Sequence, residues 1–78
     1  MELHHLRIKM SQYKKIFNGI VQFDLRLKES FKLGDLIEYE VEYGELSHNS
    51  SVIFKITDII TDEALKEGYC ILALKMLK

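Results

Sequence analysis

Ser11-Gln12-Tyr13-Lys14-Lys15-Ile16-Phe17-Asn18-Gly19-Ile20-Val21-Gln22-Phe23-Asp24-Leu25-Arg26-Leu27-Lys28 changes its hydrophobic period once, at Gly19, and that change decides the fold. Before the glycine, Tyr13, Ile16 and Phe17 share one helical face with Met10, while Lys14, Lys15 and Asn18 fall away from it. Ser11 reads as the N-cap and Asn18-Gly19 as the stop, because glycine enters the left-handed C′ conformation without a Cβ clash. About two turns of helix cannot stand alone in water, so packing must hold them. After the glycine the period is two. Val21, Phe23, Leu25 and Leu27 form one row, read as the buried one, and Gln22, Asp24, Arg26 and Lys28 form the other, read as the wet face of a strand.

Working outward, Leu3 to Lys9 reads as a first strand with Leu6 and Ile8 on one face and His5, Arg7 and Lys9 on the other. A turn at Gly34-Asp35 leads to a second clean alternation, Ile37, Tyr39, Val41 and Tyr43 against Leu36, Glu38, Glu40 and Glu42. Gly44 to Ser51 is polar and rich in turn-forming residues, so an exposed loop is expected there, followed by a strand from Val52 to Ile59. Thr61 to Gly68 reads as a loop with at most one helical turn. The last strand, Tyr69 to Met76, is apolar on both faces and belongs where neighbours cover both sides. Five strands and one N-terminal helix predict an α+β, mainly β domain spanning residues 1–78. Its expected form is a small, mostly antiparallel barrel or curled sheet with the helix plugging one end.

Composition bounds what such a domain does. The chain has 78 residues, 47% hydrophobic and 29% charged, so it supports one folded core rather than disorder. A chain of this size buries only about 60% of the surface exposed when unfolded. The net charge of -1 hides an asymmetry: Met1 to Leu33 carries seven bases against three acids, net +4, and Gly34 to Lys78 four bases against nine acids, net -5. An anionic partner should therefore meet the first half, without strong non-specific nucleic-acid binding. No apolar run reaches membrane length and no export signal is present, so a cytoplasmic protein without a membrane partner is expected. Cys70, the single cysteine, lies in an apolar strand and reads as a buried, inert thiol.

Arg26 is the leading ligand-binding candidate, because its planar fork can hold a phosphate or a base edge through two hydrogen bonds. Asp24, two residues away on the same strand face, can orient it or accept from an exocyclic amine; Gln22 and Lys28 extend the row. Alternating charges of this kind also occur simply as the solvated side of a strand, with Glu38, Glu40 and Glu42 facing them across a hairpin. Arg7, Lys14 and His4 join the ligand-binding set from the basic first half. Tyr39 and Tyr43 offer stacking surfaces for unpaired bases, although a row shared with Ile37 and Val41 is the usual pattern of core. Adjacent His4 and His5 point to opposite strand faces and cannot both hold one ion, and His48 reads as an exposed turn residue, so no metal site is expected. No phosphate-binding glycine loop, dinucleotide fingerprint, paired-cysteine zinc pattern or nucleophile elbow is present, and no cofactor is called for.

His4-His5-Leu6-Arg7-Ile8, the helix with Tyr13, Ile16 and Phe17, Gly19 through Arg26, Gly34-Asp35 and Gly68-Tyr69-Cys70-Ile71-Leu72 together resemble the ASCH domains of the PUA-like superfamily, particularly a short bacterial and phage branch. Gly19 to Arg26 is similar to that family's signature of glycine, lysine, acid and arginine at the helix-to-strand junction. Asp24 stands for its glutamate, and Val21 stands where it has lysine. Gly34-Asp35 is similar to the family's glycine-aspartate before the next strand, and with Gly19 it forms the structural part of the match. The resemblance implies a PUA-like barrel with a cleft beside the junction, binding RNA or a modified nucleoside. In some members it implies nucleoside amide hydrolysis, in which the signature lysine takes part. With Val21 at that position, a binding module is the first expectation and a small amidohydrolase drawing a lysine from elsewhere the second. A protein-interaction or assembly role, with weak self-association through edge strands, is the third.

Overall fold

The computed structural model describes residues 1–77 and runs β1 (Leu3–Lys9), α1 (Met10–Phe17), β2 (Phe23–Leu27), β3 (Leu36–Tyr43), β4 (Leu46–Ile60) and β5 (Tyr69–Leu77). The five strands form one mixed sheet in the order β1-β3-β4-β5-β2, curled into a half-barrel with β1 and β2 as its two edges. Three of the pairings are antiparallel. The fourth, β1 with β3, is parallel, and the chain makes its long return between them through α1 and β2.

The concave face holds the core. Ile37, Tyr39, Val41, Phe54, Ile56, Cys70, Leu72 and Leu74 fill it from β3, β4 and β5, with Ile8 from β1 and Tyr13 and Ile16 from α1. The Tyr13 ring meets Tyr39 and Phe54 edge-on, at 6.0 and 6.4 Å between centroids, which is how two turns of helix are fastened to the sheet. Burial drives the Cys70 thiol pKa upward, in keeping with an unreactive core residue.

The helix begins two residues earlier than its sequence suggests. Lys9, in extended conformation, is the N-cap and offers no side-chain bond, so Ser11 lies inside the first turn. The chain passes directly from the end of β1 into the helix, and strand pairing sets the start. Phe17 is 44% exposed rather than buried; Tyr13 and Ile16 are the buried residues of the helix, and Met10 packs beside them. The C-terminus is as read: Gly19 has φ +74°, its N–H donates to the Ile16 carbonyl at 3.1 Å, and the Ile20 N–H donates to Lys15 at 2.9 Å. These two bonds make a Schellman cap.

Two further expectations are corrected. Gly44 to Ser51 is not a loop: Gly44 and Glu45 form a tight turn, and Leu46 to Ser51 continue as β4, with Ser47, His48 and Asn49 paired to Glu42, Val41 and Glu40. The backbone ladder carries this polar segment, so side-chain composition does not report it. A register shift opposite Tyr39, with Ser51 at φ +62°, restores the apolar parity of the rest of β4. Tyr43 is 44% exposed beyond the end of the core.

The larger correction concerns β2. It pairs with β5 and not with β3, in a register that sets Asp24 opposite Leu72 and Arg26 opposite Cys70. Leu72 and Cys70 line the interior, so the polar row of β2 turns inward and the apolar row turns outward. Asp24 is 4% exposed, whereas Phe23, Leu25 and Leu27 are 52, 56 and 59% exposed. The acidic row of β3 meets β1 instead: His5 contacts Glu38 at 3.2 Å, and Arg7 contacts Glu40 and Glu42 at 3.1 and 3.3 Å.

Gly19 tests the helix stop. A Cβ added there meets nothing within 4 Å, so the cost of Gly19→Ala is that of holding an L side chain in the left-handed region. Its denaturation midpoint should fall by the equivalent of about 1–2 kcal/mol with an unchanged denaturant slope.

Candidate ligand-binding seam

Because the sheet stops short of closing, β1 and β2 face each other across a seam that no backbone pairing bridges. A side chain bridges it. The Arg26 Nη2 donates to the Arg7 carbonyl oxygen at 2.8 Å, and its Nε donates to Asp24 Oδ2 at 2.9 Å. Tyr39 donates its hydroxyl to the same Oδ2 at 2.6 Å from the middle of the sheet, and the guanidinium carbon lies 5.8 Å from the Tyr39 ring centroid. Burial first, and then the Asp24 carboxylate, push the Tyr39 hydroxyl pKa far above its ordinary value, so it remains a proton donor.

Asp24 Oδ1 accepts no hydrogen bond among the described residues, and no fully buried side-chain oxygen or nitrogen there lacks a partner. Oδ1 therefore keeps some contact with solvent, and Asp24 lines a groove at the seam. That groove, of about 320 Å³, is bounded by Arg7, Lys9, Gln12, Asp24, Arg26 and Glu42. On the other side of Arg26 lies a second, of about 270 Å³, walled by Leu6, Leu25, Leu27 and Phe31 with Glu29 at its rim. The seam thus sets a fixed guanidinium, with two of its five N–H donors already engaged, beside a free carboxylate oxygen and apolar walls.

The structure separates the residues that sequence placed in one row. Asp24 and Arg26 meet Arg7 at the seam. Gln22 lies in a different cleft, of about 440 Å³, at the helix-to-strand junction, with Ile16, Gly19, Phe54, Thr57 and Leu74. Lys28 and Lys14 are exposed and join neither. His4 is enclosed: its Nε2 lies 2.8 Å from Asp35 Oδ2, and its ring packs on Phe31 at 4.7 Å. Asp35 also accepts the backbone N–H groups of Glu2 and Lys32, both at 3.1 Å, so Gly34-Asp35 and His4 fasten the start of β1 to the turn before β3. Tyr39, read as core, proves to be both core and hydrogen-bond donor to the site; its hydroxyl between Ile37 and Val41 was the available signal. Gln12, Lys9 and Glu42 reach the groove only through the fold, and no local pattern marks them.

Residues 3–74 match a family described as a domain of unknown function, DUF3850. The chain belongs to the DUF3850 family. No curated protein matches it. In this DUF3850 domain no group of three or more His, Cys, Asp or Glu side chains converges to hold a metal ion among the described residues, and no helix there is long and apolar enough to cross a membrane.

Two measurements probe this DUF3850 site and its neighbour. Tyr39→Phe removes one of the two donors to buried Oδ2 and should lower unfolding free energy by about 1–3 kcal/mol in denaturant titration. The hydrogen bond from His4 holds Asp35 below its ordinary carboxylate value of 3.8. A depressed folded-state pKa means that its stabilisation is complete above that value and is lost as pH falls through the lower, folded one. The stability difference between wild type and Asp35→Asn should therefore shrink as the pH drops below about 3.8.

Proposed function

We propose that the seam between β1 and β2 binds a nucleobase, presented either as a free or modified nucleoside or as an unpaired nucleotide of RNA. The observation that carries this reading is the side-by-side placement of Arg26 donors and the unengaged Asp24 Oδ1. A base edge displays donors and acceptors next to one another, and a forked cation beside a carboxylate oxygen complements that alternation. Ile8 and Leu25, which line the same groove as Asp24, supply apolar contact for a ring. The resemblance of Gly19 to Arg26, of Gly34-Asp35 and of Gly68 to Leu72 to ASCH domains of the PUA-like superfamily supports the same ligand class.

The charge around the groove also argues for a small ligand over a long polyanion. Arg7, Lys9 and Arg26 are opposed there by Asp24 and Glu42, and Arg7 is already paired with Glu40 and Glu42. Few phosphates can be neutralised, so the salt dependence of binding should be shallow. Catalysis is not part of this reading. Val21 occupies the position of the signature lysine, and Asp24 is committed to Tyr39 and Arg26.

Amide chemical shifts followed during titration with nucleosides and short single-stranded RNAs, at two salt concentrations, test the proposal. Shifts should concentrate around Arg7, Gln12 and Arg26. Arg26→Lys should weaken binding about tenfold or more, because loss of a bidentate contact costs about 1–3 kcal/mol. Absence of any shift at low salt, or binding indifferent to Arg26→Lys in a folded variant, would overturn it.

A further inference from the structure

Asn18-Gly19 is the chain's one asparagine-glycine step, and both residues stand exposed at the end of α1. Gly19 has no Cβ, and the space where one would stand is empty to 4 Å, so nothing crowds its backbone nitrogen. We infer that this step is a site of covalent self-modification, at which Asn18 loses its side-chain amide as ammonia at a rate set by opening of the helix cap.

Water is the only co-reactant. The Gly19 nitrogen attacks Cγ of Asn18; a carbon–nitrogen bond forms, the bond from Cγ to the side-chain nitrogen breaks, and ammonia leaves with the proton that Gly19 gave up. Water then opens the cyclic imide. Cleavage at Cγ leaves aspartate in the original backbone, and cleavage at the Asn18 carbonyl carbon leaves isoaspartate, whose side-chain carbons have entered the main chain.

The folded cap withholds two requirements of the first step. The Gly19 N–H donates to the Ile16 carbonyl at 3.1 Å and must be freed before the nitrogen can lose its proton. With ψ of 2° at Asn18, that nitrogen is turned toward the amide nitrogen of Asn18 and away from its Cβ. Rotating it into position also breaks the bonds that the Ile20 and Val21 N–H groups donate to the Lys15 carbonyl, at 2.9 and 3.1 Å. The reaction therefore waits for the last turn to fray, an opening that needs less free energy than global unfolding. Asn49, the other asparagine, is held more firmly: it pairs with Glu40 in the β3–β4 ladder, and its Oδ1 accepts the Ser51 N–H at 2.7 Å.

Either product weakens the helix end. Aspartate sets a negative charge at the negative end of the helix dipole. Isoaspartate lengthens the backbone between Ile16 and Ile20, so the Schellman pattern no longer fits. Ile16, whose side chain belongs to the core, and Gly19 both line the cleft that holds Gln22, so the change reaches that cleft as well.

Peptide mass spectrometry on the full chain, aged at one mildly alkaline pH with and without guanidinium, reads the reaction at each asparagine. Conversion at Asn18 should be about tenfold or more slower in the folded chain than in the unfolded one, and should accelerate in guanidinium below the global transition. In the folded chain it should precede conversion at Asn49. Asn18→Gln, one methylene longer, should show no conversion at that position. Aged protein separated by its added negative charge should unfold at a lower denaturant concentration than fresh protein. Equal rates in folded and unfolded chains, conversion at Asn49 ahead of Asn18, or no product at Asn18 even just below the transition would each overturn the inference.

Discussion

A carboxylate buried at the unclosed edge of a half-barrel is the constraint on which the rest of this structure depends. Asp24 is 4% exposed and must find partners that offset its desolvation. Tyr39 reaches it from the centre of the sheet and Arg26 from its own strand, and Arg26 in turn grips the backbone of β1. One network thereby satisfies a buried charge and ties together two edges that share no ladder. Removing the guanidinium would leave the carboxylate with the tyrosine alone and the seam without its bridge.

The two faces of β2 follow from that network. Strand geometry forces alternate side chains to opposite sides, so turning Asp24 and Arg26 inward necessarily turns Phe23, Leu25 and Leu27 outward. The interior at the seam is polar because Tyr39 brings its hydroxyl there, and the exterior is apolar because of the same parity. The groove lined by Arg26 and the bare face beside it are two results of one choice of register.

A second buried pair, His4 with Asp35, plays a comparable part between the start of β1 and the turn before β3. It holds β1 in parallel alignment with β3, where His5 and Arg7 meet the glutamates of the neighbouring strand. Only with β1 fixed in this way is the Arg7 carbonyl presented to Arg26. Exposed pairs such as Arg7 with Glu40 add little energy on their own, and the buried pair carries more of the specification.

Much of the architecture was legible in the residues themselves. The switch of period at Gly19, the glycine stop, the alternation of Ile37, Tyr39 and Val41 and the doubly apolar β5 are local properties, set by backbone stereochemistry and by the need to bury one side of each element. Arg26 and Asp24 stood out for the same local reason, two complementary polar groups on one side of a strand. Which side that was could not be read. Parity divides a strand into two rows, but only the pairing of Asp24 with Leu72 and the presence of Tyr39 across the interior decide which row is enclosed. The strand character of Leu46 to Ser51 was hidden likewise, because hydrogen bonds to β3 hold it and its polar side chains carry no periodic signal. Sequence alone determined the elements and the chemistry available on them; tertiary pairing decided which groups meet, because register and strand order depend on partners distant in the chain.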